Sequence, residues 1–229
     1  RPPRPVIVTD AISHWRALGR WTPQFFKTEY GHLSVKVDDE TMVLGDLIDR
    51  IEASTPDAPA PYLHNQLLAD WPPELFAEVL PMPQCSQPNW LESRFFPSRN
   101  NLSPVEAYIG GRGARFPRIH YDGWHTHAFL MQLYGDKEYV AFAPDQDPFM
   151  CPLGGREINK SQVTDAVDPD LEKSRCSIES RICVSNSTRV RPCSSPPTGG
   201  TPLGSTAMRN AEPGTLAQFA PLSVVRQMS

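Results

Sequence analysis

The run at residues 116–142, FPRIHYDGWHTHAFLMQLYGDKEYVAF, constrains the fold more than any other part of the chain. It contains two stretches that favour β-strands: FLMQLY, which is almost continuously apolar, and KEYVAF, which alternates before Pro144. Between them, Gly135 and Asp136 form a turn signal. The pattern therefore predicts a β-hairpin of strand, turn and strand.

His120 and Asp122 lie two positions apart in the β-favouring segment before this hairpin. Side chains two apart on a strand point to the same face of a sheet. An imidazole and a carboxylate on one face are two of the three protein ligands in the 2-His-1-carboxylate triad that binds non-heme Fe(II). The spacing makes both residues candidate metal ligands, although an isolated His-x-Asp is more often a surface pair. A third ligand, a histidine, has to come from another segment.

Lys137 opens the second strand of the predicted hairpin, 17 residues after His120. From this position an ammonium group can face the same cavity as the two candidate ligands, where it suits a dicarboxylate. A solvated lysine at the end of a hairpin agrees equally well with the sequence. His64 is a possible ligand by residue type only, and Tyr108 and Tyr121 either line a pocket or fill the core.

The run HYDGWHTHAFLMQLYGDKEYVAFAPDQ resembles the core of the JmjC-type, cupin-like 2-oxoglutarate oxygenases, in the group of factor-inhibiting-HIF-like hydroxylases. The similarity includes WTPQFFKTEYG, YIGGRGARFPRIHYD and NKSQVTDAVDPDLEK, and it covers residues 5–173. It implies Fe(II) on His120 and Asp122, and 2-oxoglutarate as a cosubstrate with its distal carboxylate on Lys137. It further implies oxidation of a protein or peptide side chain.

The resemblance also implies the fold class: mainly β with N-terminal helices, forming a double-stranded β-helix (cupin or jelly roll) that is incomplete at its C-terminus. For the helices, Thr22 followed by Pro23 is a start signal and Gly31 a stop signal. Thr9 predicts a further helix through DAISHWRAL. Helical periodicity places four apolar residues of the next segment on one face: Leu44, Leu47, Ile48 and Ile51.

Composition limits the functional classes that the chain can belong to. A formal net charge of −4 and the absence of a basic stripe argue against a nucleic-acid partner. The sequence contains no run of 18 apolar residues and no signal peptide, so we expect no membrane partner and an intracellular, soluble protein, in the cytoplasm rather than the nucleus. The odd count of five cysteines predicts no disulfide framework.

The C-terminal part differs in composition from the rest of the chain. Of 21 aromatic residues only Phe219 follows Lys173, and the last 56 positions hold ten Ser, six Pro and six Arg. With so few large apolar side chains to bury, this part of the chain can offset little of the conformational entropy that folding costs. We therefore divide the chain into a cupin-like domain at residues 1–173 and a tail at 174–229 that is disordered or out of frame.

The resemblance stops where its third metal ligand is expected, because no histidine follows His127. His125 and His127 are unsuitable replacements, since Gly123 and Trp124 are predicted to turn the chain away from the metal face. The segment KSRCSIE, from Lys173, has synonymous codons that read KFPLFDR after one inserted nucleotide. In the same frame TGGT, at residues 198–201, conceals Trp-Trp-His. The tail therefore reads as frameshifted, with a natural divergent C-terminus as the alternative.

Two rival interpretations remain beside an Fe(II)- and 2-oxoglutarate-dependent hydroxylase impaired by its missing ligand. One is a non-catalytic remnant or binding module of the cupin fold, which the absent histidine favours. The other is a cupin that binds a different divalent metal for non-oxidative chemistry, which the dicarboxylate site expected at Lys137 disfavours.

Inserting one nucleotide after the Lys173 codon is expected to restore the third histidine and the missing strands. The repaired protein should then consume 2-oxoglutarate in the presence of Fe(II) and unfold at a higher temperature, whereas the chain as written should not turn over. An assay of 2-oxoglutarate consumption on both proteins decides the question. Equal turnover would show that the tail as written supplies a working site.

Overall fold

A computed structural model describes residues 7–87, 89, 105–116, 118–122, 128–140 and 151–163, together with strand residues 187–190, 207–210 and 215–220. The described parts contain three α-helices and nine short strands. The helices all precede residue 78 and pack with the first strands around one hydrophobic core.

Helix α1, Pro23–Tyr30, begins where the sequence predicts it. The Thr22 side chain accepts a hydrogen bond from the backbone N–H of Phe25 (3.1 Å), and proline occupies the first helical position. Gly31 follows the last residue of the helix, also as predicted. The capping threonine thus fixes the start of the helix that carries Phe26 into the core.

Helix α2, Leu44–Glu52, buries the face that its periodicity predicts, and helix α3, Pro73–Ala77, is likewise started by proline. The helix expected after Thr9 is wrong: residues 11–14 and 16–20 form turns. Those turns still bury Trp15 and Trp21, whose indole N–H groups donate to the carbonyl of Pro81 and to Glu78. Tertiary contacts therefore replace the intrahelical bonds of the expected helix.

Strands β1, Ser34–Val37, and β2, Glu40–Val43, form an antiparallel pair. A four-stranded antiparallel sheet has the order β3, β4, β9, β5, with bounds Leu63–Leu67, Glu106–Gly110, Thr215–Ala220 and Met131–Gln132. A three-stranded sheet places β6, Lys137–Val140, between β7, Ser187–Val190, and β8, Ala207–Asn210. Strands of the C-terminal part thus pair with the backbone of both sheets.

The predicted hairpin of residues 129–142 is wrong in its pairing, because β5 and β6 belong to different sheets. Strand β5 pairs with β9 instead, and the intervening residues bend. The side chain of Gln132 contributes to this bend, since its amide donates to the carbonyl of Tyr134 (2.7 Å). A side-chain bond inside the connection thus takes the place of the cross-strand ladder that a tight hairpin needs.

The described strands and helices give the expected class in its coarse form: short antiparallel strand pairs with few helices. Within the described residues the strands form three separate sheets and no closed barrel, so the double-stranded β-helix stays a prediction. The division of the chain at residue 173 also stays a prediction. Although the cysteine count predicted no disulfide framework, Cys151 is disulfide-bonded, while Cys85 carries a free, exposed thiol.

Within the part of the chain that the structure describes, no helix combines the length and the apolar character that a bilayer span requires.

Replacing Thr22 by alanine should lower the free energy of unfolding by about 1 kcal/mol, because the N–H of Phe25 loses its capping acceptor. Thr28→Ala is the matched control, since Thr28 is exposed within the same helix and alanine is the better helix former. Urea denaturation measures both changes. A Thr22→Ala protein as stable as the control would show that the cap contributes nothing.

Candidate functional site

Lys137 is a buried lysine enclosed by aromatic rings, with 1% of its surface exposed. Its Nζ donates a hydrogen bond to the hydroxyl of Tyr62 (2.7 Å). The same atom lies 5.1, 5.9 and 5.8 Å from the ring centroids of Tyr62, Tyr108 and Tyr139. Distances within about 6 Å allow the electron-rich ring faces to attract a cation. The lysine is therefore an interior group and not the solvated end of a hairpin.

The surroundings of Lys137 weaken its hold on a proton. Burial lowers the pKa of Lys137 from 10.5 to about 7, because desolvation disfavours the ammonium form. The neutral and charged forms are thus close in free energy near neutral pH. A carboxylate placed beside Nζ would favour the charged form and draw a proton into the site.

Two of the three tyrosines reach Lys137 from the side of the four-stranded sheet, whereas Tyr139 lies on β6 with Lys137 itself. Tyr62 immediately precedes β3, whereas Tyr108 lies on β4 and shares a face with Glu106, two residues earlier. The Tyr108 hydroxyl donates to Glu106 (2.6 Å) and lies 3.2 Å from Oδ1 of Asn65. Burial, and then the charge and hydrogen bond of Glu106, raise the pKa of Tyr108, so its phenol stays protonated.

His120 and Asp122 come together as predicted, but by a different route. Of the described residues in the run 116–122, His120 pairs in an isolated bridge with Lys160, and the segment is not the regular strand that we expected. Nε2 of His120 nevertheless lies 3.9 Å from Oδ1 of Asp122. Nδ1 of His120 lies 2.9 Å from the carbonyl of Arg118, which can only accept. The proton therefore belongs on Nδ1, and Nε2 keeps a free lone pair.

The imidazole nitrogen of His120 and the carboxylate of Asp122 are suitable donors for a divalent metal, but the 3.9 Å between them is longer than two ligands of one metal require. Two ligands about 2.1 Å from a metal and at right angles lie about 3 Å apart. Asp122, whose side chain is 41% exposed, would have to approach His120 by about 1 Å on binding. Across the described residues no three His, Cys, Asp or Glu side chains are placed to hold a metal ion together. The pair thus supplies two ligands, and its predicted role stays a prediction.

Phe116 connects the lysine cluster to the candidate metal ligands. Its ring lies 4.6 Å from that of His120, centroid to centroid, with planes tilted by 30°. The same ring lies 6.3 Å from Tyr62 and 6.5 Å from Tyr108. Lys137, two tyrosines, Phe116 and His120 therefore form one continuous group of contacts.

A cleft of about 430 Å³ adjoins this group on the side of Tyr62. His64 and Asp38 line the cleft, with Nε2 of His64 3.6 Å from Oδ1 of Asp38. Nδ1 of His64 is buried and has no hydrogen-bond partner within the described structure. The pKa of the nearby Glu106 is raised, mainly by burial. The hydrogen bond from Tyr108 and the charge of His64 lower this pKa, whereas the charge of Asp122 raises it further.

Small residues hold one wall of the cleft in place. The Ser54 hydroxyl donates to the carbonyl of Arg112 (2.7 Å) and accepts from the N–H of Ala60 (2.8 Å). A Cβ on Gly111 would lie 2.4 Å from Cβ of Ser54, so only glycine allows this approach. The loop after α2 is thereby attached to the turn that follows β4.

The sequence identified part of this arrangement. The sequence singled out Lys137, His120 and Asp122, which lie in one region, and Tyr108 is buried in a cluster with Tyr62 beside Lys137. Tyr62, Phe116 and Glu106 were missed; the pairing of Glu106 and Tyr108 at a spacing of two was a usable signal. His125 and His127 lie outside the described residues.

No protein-family model matches the chain. The function is therefore inferred from the geometry of the site and from the resemblance of its motifs.

Stability should rise as the pH increases from about 7 towards 10, because the unfolded state then binds the Lys137 proton that the folded state has lost. The slope is at most about 1.4 kcal/mol per pH unit. In Lys137→Met this contribution disappears, so the difference between the two proteins should change across that range. Urea denaturation at several pH values measures it, and parallel stability profiles would contradict the assignment.

Proposed function

We propose that the chain is a domain of the Fe(II)- and 2-oxoglutarate-dependent oxygenase class, directed at a protein or peptide side chain and impaired in turnover by the lack of a third protein ligand. The proposed fold is a double-stranded β-helix, with the described sheets as parts of it. Metal binds at His120 and Asp122, and the distal carboxylate of 2-oxoglutarate binds at Lys137.

The buried lysine is the observation that carries this proposal. An amine with 1% exposure, which donates to the Tyr62 hydroxyl and lies near three ring faces, is costly to charge. A ligand carboxylate beside it would favour the charged form and could accept hydrogen bonds from both Nζ of Lys137 and the Tyr62 hydroxyl. A dicarboxylate suits this proposal better than a monocarboxylate, because one carboxylate would bind at Lys137 and the second would remain for the metal at His120 and Asp122.

Each residue of the site has a defined task in binding. Lys137 and Tyr62 hold the distal carboxylate, and the surrounding rings exclude water and strengthen that ion pair. Arg118 fixes the His120 tautomer through its backbone carbonyl, which leaves Nε2 available to the metal. When bound, Fe(II) supplies activation of O₂ for the oxidation of a C–H bond.

A non-catalytic binding module of the cupin fold is the second candidate function. The observation in its favour is that only two candidate ligands, His120 and Asp122, come together within the described residues. Such a site binds a dicarboxylate without turning it over. The two candidates share the Lys137 site and differ only in catalysis.

The proposal is tested by titrating the protein with 2-oxoglutarate in a calorimeter, with Mn(II) present as a metal that starts no turnover. Lys137→Ala should weaken binding by roughly 1.5–3 kcal/mol, the range for hydrogen bonds to charged groups. Lys160→Ala is the matched control, because Lys160 pairs with Glu157 at the surface while its backbone bridges to His120.

The control removes the same charge close to the site, so binding should stay within error of the parent. Equal dissociation constants for Lys137→Ala and the parent would reject the proposed carboxylate site. Consumption of 2-oxoglutarate with Fe(II) then separates the two candidate functions: slow turnover supports the impaired oxygenase, and none supports the binding module.

A further inference from the structure

Phe116 binds no ligand in the function proposed above, yet its ring lies against those of four site residues, Tyr62, His64, Tyr108 and His120. We propose that Phe116 is a positioning residue, whose ring face holds the His120 imidazole in the orientation that directs Nε2 to Asp122. The assignment rests on the proposed metal role of His120, and it adds a residue outside the ligand set.

A histidine ring can rotate about the bond that joins it to Cβ. The torsion that rotates an imidazole about its Cβ–Cγ bond is broad, so rotamer preference alone does not fix the ring plane. The hydrogen bond from Nδ1 to the Arg118 carbonyl selects one edge of the ring. A single bond at one edge still lets the plane rock about that contact. A second contact, on the ring face, is needed to stop this motion.

Phe116 provides the face contact. A centroid separation of 4.6 Å and an angle of 30° between the planes describe two rings in tilted face contact. Residues four apart on a strand are separated by about 13 Å, so the chain must bend between Phe116 and His120 to bring these rings together. The bend and the carbonyl of Arg118 belong to the same short segment, which therefore restrains both the edge and the face of the imidazole.

Phe116 can restrain His120 because other rings restrain Phe116. His64 and Tyr62 lie 5.8 and 6.3 Å from it, and Tyr108 lies at 6.5 Å. Tyr62 and Tyr108 are themselves buried. The ring of His120 is thus restrained, through Phe116, by residues outside its own segment: His64 on β3, Tyr108 on β4, and Tyr62 just before β3.

The experiment compares Phe116→Leu with Phe116→Tyr, which keeps the ring. Phe25→Leu is the matched control, because Phe25 belongs to a separate aromatic cluster with Phe26 and Tyr30. Two quantities are measured on the full chain. Long-range ¹H–¹⁵N spectra of the metal-free protein give the His120 tautomer, with its signals identified by their loss in His120→Ala. Calorimetry gives the affinity for Co(II).

The parent, Phe116→Tyr and Phe25→Leu should show one Nδ1–H tautomer and equal Co(II) affinity. Phe116→Leu should show mixed tautomers and bind Co(II) about 10-fold more weakly, as expected for the loss of a residue that orients a ligand. His120→Ala and Asp122→Ala should abolish binding, whereas His125→Ala should not. If Phe116→Leu does not fold, Phe116→Met takes its place.

A Phe116→Leu protein that matches the parent in both measurements overturns the inference, and so does a Phe116→Tyr protein that behaves like Phe116→Leu. Failure of the proposed function has a different signature, namely a parent protein that binds no Co(II). In that case the tautomer measurement still decides whether Phe116 positions the ring.

Discussion

An amine transferred from water into a protein interior loses hydration that the interior has to replace. At Lys137 the replacement includes the Tyr62 hydroxyl and the faces of three tyrosine rings. Burial still disfavours the ammonium form, which lowers the pKa of Lys137 to about 7. The rings come from β4, from β6 and from the residue before β3, so residues of both larger sheets meet at this buried nitrogen.

Sequence reasoning succeeded where neighbouring residues decide the structure. The cap at Thr22 and the buried face of α2 follow from local patterns that need no knowledge of distant segments. It failed at the hairpin, because the choice between a local partner and β9 depends on competition between strands far apart in the chain. Lys137 shows both outcomes. Its position in the sequence marked it as a candidate, but its burial involves contacts with distant residues such as Tyr62, 75 residues away.

His120 and Asp122 lie near each other, as the sequence predicts, but a regular strand is not the reason. We expected His120 and Asp122 to share a strand face, whereas the segment bends and bonds to residues 159–161 instead. Around the pair, Glu106 and Asp122 lie close enough for the charge of Asp122 to raise the pKa of Glu106. A divalent cation beside Asp122 would reverse that effect and favour the ionised form of Glu106. The metal pair and the tyrosine network are thus electrostatically linked.

The attachment of the loop after α2 has a consequence for the kinetics of binding. Because Ser54 joins this loop to the turn around Gly111 and Arg112, its conformational entropy is lost when the chain folds and not when a molecule enters the cleft. A wall that is ordered beforehand removes a slow rearrangement from the association step. A small molecule that enters the cleft beside Asp38, His64 and Tyr62 would therefore meet a wall that is already in place.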